Sequence, residues 1–345
     1  MESVTLDELD RRLIHALQLD GRMSFSRIAA VIGSPERTVA RRYSRLRSHF
    51  VLRVVGLIDS RRIGMLDWVV RIRCAPEAAD ALGARLAQRD DTSWIAPLIG
   101  GTELTCMVRT PPPGDEGQRS FFEQLARTQG VRDVDAACVL RPVAGVGGWA
   151  GRMSALGEEE QLRLRVPVPA RAAPGEASPV VLWSEADARL VRTLSQDARA
   201  DLGRLAKATG WSESTVRRRI GQLRESGVLA FEVEVDPSLF GFAIEALVWL
   251  EVAPAGLRSV AGALSRQAAV AFAALTTGPT AVFAIVECRS ADALYEFLST
   301  ELAGLPGITR IETAVTQRRT KRAGPLLMPA AGARPGQGPN GAVAE

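Results

Sequence analysis

The stretch that decides the fold is 211–229, WSESTVRRRIGQLRESGVL. Ser212 is placed to cap a helix, and Val216, Ile220 and Leu223 recur at the spacing that puts apolar side chains on one helical face. Gly227 supplies the left-handed residue on which helices commonly end. The stretch therefore predicts a well-bounded helix with one buried face.

Two shorter predicted helices precede this one. Ser184 is placed to cap the first, whose apolar stripe includes Leu190 and Leu194. The second carries Leu205 and stops at Gly210. Three short helices with a tight glycine turn before the last predict a helix-turn-helix.

The same pattern occurs once more, 177 positions earlier in the chain. The offset pairs identical residues without a gap: Asp10/Asp187, Leu13/Leu190, Leu17/Leu194, Arg22/Arg199, Ala29/Ala206, Gly33/Gly210, Glu36/Glu213, Thr38/Thr215, Val39/Val216, Arg41/Arg218, Arg42/Arg219, Leu46/Leu223, Asp59/Asp236, Gly64/Gly241, Gly101/Gly278 and Gly130/Gly307. Because chance matches drift in register, the chain is interpreted as two copies of one module of about 140 residues.

The first copy differs from the second at its helix ends. Thr5 and Glu8 predict a capping box, and residues 34–36 (Ser-Pro-Glu) predict the start of the third helix, with Ser34 as its cap. His49 and Phe50 stand where the second copy has Ser and Gly. The third helix of the first copy therefore lacks a glycine cap.

Both third helices carry a one-sided positive charge. Residues 35–47 contain five arginines against one glutamate, and residues 212–224 contain four against one. Arginine forms paired hydrogen bonds with the edge of guanine and glutamine with the edge of adenine, and flanking arginines neutralise phosphates. The predicted DNA-binding residues are Ser34, Arg37, Thr38, Arg41, Arg42 and Arg45 in the first copy and Ser212, Ser214, Thr215, Arg217, Arg218, Arg219 and Gln222 in the second. The alternative is a solvated helix face. Trp211 either packs beneath the turn or touches a base.

Beyond each helix-turn-helix the predicted order is β-α-β-β-α-β. This order predicts an α+β chain of two tandem units, each a winged or three-helix helix-turn-helix domain followed by a ferredoxin-like effector domain. The expected domains are 1–52 and 181–229 (helix-turn-helix), 53–143 and 230–322 (effector), 144–180 (linker) and 323–345 (disordered tail). In the linker, alternation over 162–166 allows a short edge strand.

This arrangement resembles the leucine-responsive regulator, or Lrp/AsnC, family of bacterial transcription factors. The residues that carry the resemblance are 187–194, 199, 205–206 and 211–229, with 9–22 and 28–46 in the first copy. The resemblance implies effector domains that pair sheet to sheet and bind an amino acid or similar small molecule near a glycine turn. That turn maps to Gly100, Gly101, Thr102 and Glu103, and to Thr277, Gly278, Pro279 and Thr280. Glycine-exposed N–H groups are suited to a carboxylate, and Glu103 to an ammonium group. Ordinary hairpin turns are the alternative.

Composition excludes several other classes of protein. With 46% hydrophobic and 24% charged residues, the chain is neither disordered nor fibrous, and no apolar run approaches the roughly 20 residues of a membrane span. We expect a soluble cytoplasmic protein with reduced cysteines, no metal site, no membrane partner and no cofactor. The sequence also shows no phosphate-gripping loop and no nucleophile-base pair.

The leading hypothesis is a sequence-specific DNA-binding regulator that acts as a single-chain pseudo-dimer, with double-stranded DNA and a small-molecule effector as partners. Such chains are expected to form homo-oligomers. One alternative is a siroheme decarboxylase-like enzyme on the same architecture, but the two histidines, His15 and His49, both lie in the first helix-turn-helix. Another is a regulator in which one helix-turn-helix, more plausibly the first, is structural or binds protein.

Overall fold

The computed structural model describes residues 5–98, 101–112, 116–145, 149, 154–165, 181–316 and 319–323, without the side chains of 116–120. The first helix-turn-helix contains α1 (Glu8–Leu19), α2 (Phe25–Ile32) and α3 (Glu36–Ser48), and the second contains α7 (Glu185–Gln196), α8 (Leu202–Thr209) and α9 (Glu213–Glu225). No helix in the described ranges is both long enough and apolar enough to cross a membrane.

Local capping explains where these helices begin. Ser184 and Ser212 cap α7 and α9 as predicted. The predicted Thr5–Glu8 box is wrong, because Asp7 caps α1 and exchanges hydrogen bonds with Asp10. The predicted cap of α3 is also wrong: Pro35 holds the N-cap position with extended backbone, and no side chain caps the helix. Helix α3 therefore begins one residue after the proline.

The ends of α3 and α9 have the same backbone conformation despite different residues. Gly227 follows α9 with φ +67°, and Phe50 follows α3 with φ +56°. A side chain in this left-handed region costs about 1–2 kcal/mol, which glycine avoids. The last helix of the first helix-turn-helix therefore ends in the same backbone conformation as α9, but with a strained phenylalanine in place of glycine.

A two-stranded antiparallel sheet joins the two helix-turn-helix units. Strand β1 (Leu52–Ile58) pairs with β6 (Leu229–Val235), so that Leu52 faces Val235 and Ile58 faces Leu229. Side chains of both strands belong to one hydrophobic core that contains the inner faces of all six helices. The two helix-turn-helix units are therefore packed as one body.

The predicted βαββαβ order is confirmed in both effector domains. The first contains β2 (Leu66–Cys74), α4 (Pro76–Ala87), β3 (Thr92–Leu98), β4 (Glu103–Thr110), α5 (Glu116–Ala126) and β5 (Val131–Ala144). The second contains β7 (Ile244–Val252), α10 (Leu257–Leu264), β8 (Val270–Thr276), β9 (Val282–Cys288), α11 (Ala291–Glu296), which continues as a π-helix over Phe297–Leu302, and β10 (Ile308–Val315).

The two effector sheets join edge to edge. Eight strands run in the order β10-β7-β9-β8-β5-β2-β4-β3, in which the end of β5 pairs with β8 of the other domain. At the opposite edge, the segment after β10 pairs with β3 through Leu98–Thr316 and Ile95–Lys321. A separate core that includes Leu98, Trp249 and Phe283 draws on both domains. The effector domains therefore hold each other at both edges.

Part of the expected linker is a helix. The predicted edge strand at 162–166 is wrong, because residues 162–164 belong to α6 (Glu158–Leu164), which has three glutamates in its first turn, where the helix dipole favours acids. Leu156 and Leu164 are buried in the helix-turn-helix core. The N–H of Leu156 donates to Nδ1 of His15 at 3.0 Å, and burial lowers the pKa of this imidazole. The rest of the linker, apart from residues 144–145, 149, 154–157 and 165, and the tail beyond 323 lie outside the described residues.

Candidate DNA-binding and effector sites

The outer face of α3 carries the predicted contacts of the first unit. Arg37 and Arg41 are exposed, Ser34 and Thr38 are half-buried, and none of the four sits on the face that buries Val39, Tyr43 and Leu46. Neither Arg37 nor Arg41 forms an ion pair with any residue in the described ranges. These two guanidinium groups are therefore available to phosphates and base edges.

Two further arginines of α3 are committed to carboxylates. Arg42 contacts Asp7 and lies 3.2 Å from Asp10, and Arg45 contacts the other oxygen of Asp10. Asp10 itself is fully buried. Both arginines therefore connect α3 to the buried Asp10 of α1, and their predicted contact with DNA stays a prediction.

Among its described residues, α9 of the second unit likewise has two unpaired arginines and one that is paired with a buried aspartate. Arg217 and Arg218 are exposed on α9 with Ser212, Ser214 and Gln222, and Thr215 is half-buried; among the described residues, neither of these arginines has an ion-pair partner. Arg219 instead donates to both oxygens of buried Asp187, at 2.6 and 3.0 Å. Arg219 therefore connects α9 to α7 as Arg42 connects α3 to α1, and its predicted phosphate contact stays a prediction. The signal available in the sequence was the recurrence of an aspartate 32 positions before this arginine in both copies.

Trp211 packs against the helix-turn-helix core and keeps part of its surface open. Together with Trp183 it forms walls of a cleft of about 390 Å3 beside the outer face of α9. The packing alternative for Trp211 is therefore confirmed. Trp183, which precedes the cap of α7, was not singled out in the sequence.

The effector turn of the first unit is closed by an arginine from the neighbouring strand. Gly101 has φ +83°, and Glu103 is buried with its carboxylate 2.5 Å from Nε of Arg71. The Arg71 guanidinium also lies 2.7 Å from Glu312 of the second unit and 4.0 Å above the ring of Trp249. Although burial opposes the charge, the two carboxylates raise the pKa of Arg71. Glu103, predicted to meet an ammonium group, already holds a cation; Gly100 lies outside the described residues.

The effector turn of the second unit is bound to the first unit. The N–H of Cys138 donates to Oγ1 of Thr277 at 2.8 Å, and the N–H of Thr277 donates to the carbonyl of Cys138 at 2.9 Å. Gly278 has φ +93°, and the Thr280 carbonyl accepts from the Thr276 hydroxyl. A space of about 10 Å3 remains beside this turn, lined by residues that include Arg71, Asp135, Trp249, Thr276 and Thr280. Both predicted turns thus lie at the contact between the effector sheets.

The second unit contains a buried acid pair that the equivalent positions of the first unit do not repeat. Glu245 and Glu287 face each other across β7 and β9, and Arg319 donates to Glu245 at 2.7 Å. Burial, followed by the charge of Glu245, raises the pKa of Glu287 to about 8. At the equivalent positions of the first unit, Trp68 donates to the Thr110 hydroxyl at 2.9 Å. The four cysteines are free and buried.

Two helix-turn-helix units joined to paired ferredoxin-like domains define a DNA-binding regulator with a ligand-binding module. Residues 6–47 and 184–224 match the AsnC-type helix-turn-helix domain, and residues 245–326 match the Lrp/AsnC ligand binding domain. The chain belongs to the Lrp/AsnC family of transcription regulators and carries the family's helix-turn-helix twice.

Relatives and solved structures agree with this membership. The chain is similar to an uncharacterized HTH-type transcriptional regulator of Pyrococcus furiosus, 31% identical over 39% of this chain and 91% of that protein. It is also similar to the HTH-type transcriptional regulator LrpA of Pyrococcus horikoshii, 26% identical over 40% of this chain and 98% of that protein. The crystal structure of the siroheme decarboxylase NirDL covers 92% of this chain and 93% of its own, with a TM-score of 0.60 and 14% identity. That likeness shows a shared fold.

Proposed function

We propose that this chain is a sequence-specific regulator in which two units of one polypeptide make the DNA-binding assembly, and that a small molecule modulates it. The observation that carries the proposal is the division of the arginines on α3 and α9. Arg42 and Arg45 on α3 and Arg219 on α9 are paired with a buried aspartate, while Arg37 and Arg41 on α3 and Arg217 and Arg218 on α9 stay exposed. Such a division orients the helix and leaves cations for DNA.

The pseudo-dimer is supported by ion pairs that the repeat makes twice. Arg47 lies 2.7 Å from Asp197, and its equivalent Arg224 lies 3.2 Å from Asp20. Covalent linkage makes the association of the two units intramolecular, so the pseudo-dimer persists at low concentration. We also propose that such chains associate further; sedimentation tests this against the 37.0 kDa of one chain.

The two units differ in the residues that face outward. Gln222 is exposed on α9, whereas its equivalent, Arg45, is paired with Asp10. Because Gln222 is left to bind a base whereas Arg45 is held by a carboxylate, we propose half-sites that are not perfect inverted repeats.

The test begins with DNA that co-purifies with the protein, which is sequenced and used as the probe. Arg41→Ala and Arg218→Ala are each measured against intact and half-scrambled probes, with Arg258→Ala on α10 as a matched exposed control. We expect each variant to relax specificity at its own half-site by about 1–3 kcal/mol. Equal, sequence-blind losses contradict base reading and leave phosphate contact alone.

An amino acid is the proposed effector because the inter-sheet contact presents both charges of a zwitterion. Arg71 suits a carboxylate, and Glu103 and Asp135 suit an ammonium group. Entry requires Arg71 to release Glu103, since the adjacent space is only about 10 Å3. Thermal shifts with single amino acids test this: a stabilising ligand should lose its effect in Arg71→Ala and keep it in Arg73→Ala, where the arginine is exposed.

Siroheme decarboxylation is the second candidate, because the NirDL fold spans nearly the whole chain. His15 lies in α1 and accepts a hydrogen bond from the linker, and His49 follows α3 with its Nδ1 2.8 Å from the carbonyl of Arg45, so both histidines belong to the first helix-turn-helix and neither lies in an effector sheet. Titration of the purified protein with siroheme distinguishes the candidates. An unchanged absorption spectrum would contradict the decarboxylase candidate. A shifted spectrum, together with loss of carboxyl groups from siroheme, would favour the decarboxylase over the regulator.

A further inference from the structure

The linker helix α6 has opposite charges at its two ends. Its first turn consists of glutamates (158–160), its last turn contains Arg163, and Arg165 follows directly. Glu160 forms an ion pair with Arg12 of α1, so the acidic end lies on the first helix of the first unit. Arg163 and Arg165 are exposed, and neither has an ion-pair partner in the part of the chain that the structure describes.

The basic end of α6 is bonded to the start of α2. The guanidinium of Arg27, in the first turn of α2, donates to the carbonyls of Arg163 and Arg165 at 2.9 and 3.4 Å. The last carbonyls of a helix have no partner within the helix, so these bonds satisfy groups that otherwise need water. Leu164, between the two arginines, is fully buried in the helix-turn-helix core. The end of α6 is therefore fixed beside the first turn of α2.

These contacts gather three arginines on one surface, which the linker and the first unit form together. Arg27, Arg163 and Arg165 are all exposed. Because Arg27 donates to backbone carbonyls, the guanidinium groups of Arg163 and Arg165 take no part in holding the helix. They are left free to bind an anionic partner. A surface of clustered cations without carboxylate partners is complementary to the phosphates of a nucleic acid.

The docking geometry of a helix-turn-helix indicates what this surface meets. The recognition helix enters the major groove, and the helix before it crosses the sugar–phosphate backbone. In the first unit these helices are α3 and α2. A segment bonded to the first turn of α2 therefore lies beside the backbone, at the edge of the half-site that α3 reads. Arginine side chains bind phosphate oxygens at such positions.

Resting on the proposed function, we propose that the linker helix is a third DNA-binding element of this chain. Arg163 and Arg165 bind phosphates that flank the first half-site, and Arg27 holds this end of α6 against α2. The second unit differs at the equivalent position, since Arg204 lies 3.9 Å from the carboxylate of Asp197. The segment that connects the two units thus extends the DNA contact beyond the recognition helices.

The test removes the two side chains and keeps the backbone carbonyls that Arg27 holds. Arg163→Ala with Arg165→Ala is the linker variant. The control is Arg258→Ala with Arg266→Ala, which removes two exposed arginines from the second effector domain. Both variants have the same net charge, so a difference between them reflects position. Salt dependence of affinity and phosphate ethylation interference are measured on the co-purified duplex, and circular dichroism establishes that both variants fold.

We expect the linker variant to bind intact and scrambled probes more weakly by the same factor, because phosphates carry no sequence information. The slope of log affinity against log salt should be smaller by about two, since each phosphate contact contributes about 0.9. Raising the salt from about 50 to about 200 mM should then cost the linker variant about tenfold less affinity than it costs the control. Interference at phosphates beside the first half-site should disappear in the linker variant and persist in the control.

A salt slope and an interference pattern equal to those of the control overturn the linker proposal. A loss of affinity confined to the intact probe also overturns it, because that loss would mean base reading rather than phosphate contact. In either case the proposed function stands if Arg41→Ala still relaxes specificity at the first half-site. If wild type retains no duplex, both proposals fail.

Discussion

Arg22 and Arg199 make the same contact in opposite directions between the two helix-turn-helix units. Arg22 donates to the carbonyls of Ala198 and Ala200 at 2.5 and 3.2 Å. Arg199 donates to the carbonyls of Gly21 and Met23 at 2.8 and 2.9 Å. Each pair of partners is 177 positions from the other, so the duplication in the sequence has become a two-fold relationship in space.

Removing either arginine should destabilise the assembly. Each bond joins a charged donor to a carbonyl and contributes about 1.5–3 kcal/mol, so we expect Arg22→Ala or Arg199→Ala to lower the free energy of unfolding by about 2 kcal/mol. Urea denaturation measures the change, with exposed Arg258→Ala as the control. A free energy of unfolding equal to that of the control would show that the contact does not stabilise the fold.

Phe50→Gly should stabilise the first unit. The phenylalanine has φ +56° and is 70% exposed, so glycine relieves backbone strain and loses little burial. We expect a gain of about 1 kcal/mol, and a loss of similar size for Gly227→Ala at the equivalent position. Thermal unfolding of the two variants measures both changes; a loss in Phe50→Gly would contradict the strain argument.

Leu164 and Leu162 test whether α6 belongs to the helix-turn-helix core. Leu164 is fully buried and Leu162 is 65% exposed on the same helix. Leu164→Ala should cost about 2–5 kcal/mol of stability, and Leu162→Ala less than about 0.5 kcal/mol. Denaturant unfolding measures both, and equal effects would place α6 outside the core.

The buried acid pair predicts a pH dependence of stability. The pKa of Glu287 is raised from 4.5 to about 8 in the fold, so the folded chain binds a proton there that the unfolded chain has released. This contribution to stability is complete below about pH 4.5 and is lost as pH rises to about 8. Glu287→Gln, which keeps a hydrogen bond to Glu245, should remove that decline.

Urea denaturation between pH 5 and 9 measures the effect, with exposed Glu301→Gln as the control. We expect wild type and the control to lose stability with rising pH relative to Glu287→Gln. Parallel curves for all three proteins would mean that Glu287 is ionised in the fold.

Local signals in the sequence were sufficient for the helices that decide the fold. Ser212, the buried positions of α9 and Gly227 act within a few residues of one another, so their consequences do not depend on the rest of the chain. Local signals gave wrong predictions where two residues or two structures compete for one position. Asp7, not Thr5, caps α1, and the stretch whose alternation suggested a strand at 162–166 lies in a helix that begins four residues earlier.

What the sequence determined by itself is the duplicated plan, with its recognition helices and its order of strands, because these follow from nearest neighbours and from a repeat. Only the tertiary structure decided which charged side chains form ion pairs within the protein. Whether Arg219 reaches Asp187, or Arg71 reaches Glu103 and Glu312, depends on elements far apart in the chain that meet only after packing. The duplicated spacing of 32 residues hints at the Asp–Arg pairs, but an ion pair has no local pattern that proves it, so the exposed arginines of α3 and α9 were distinguished from the paired ones only in the folded chain.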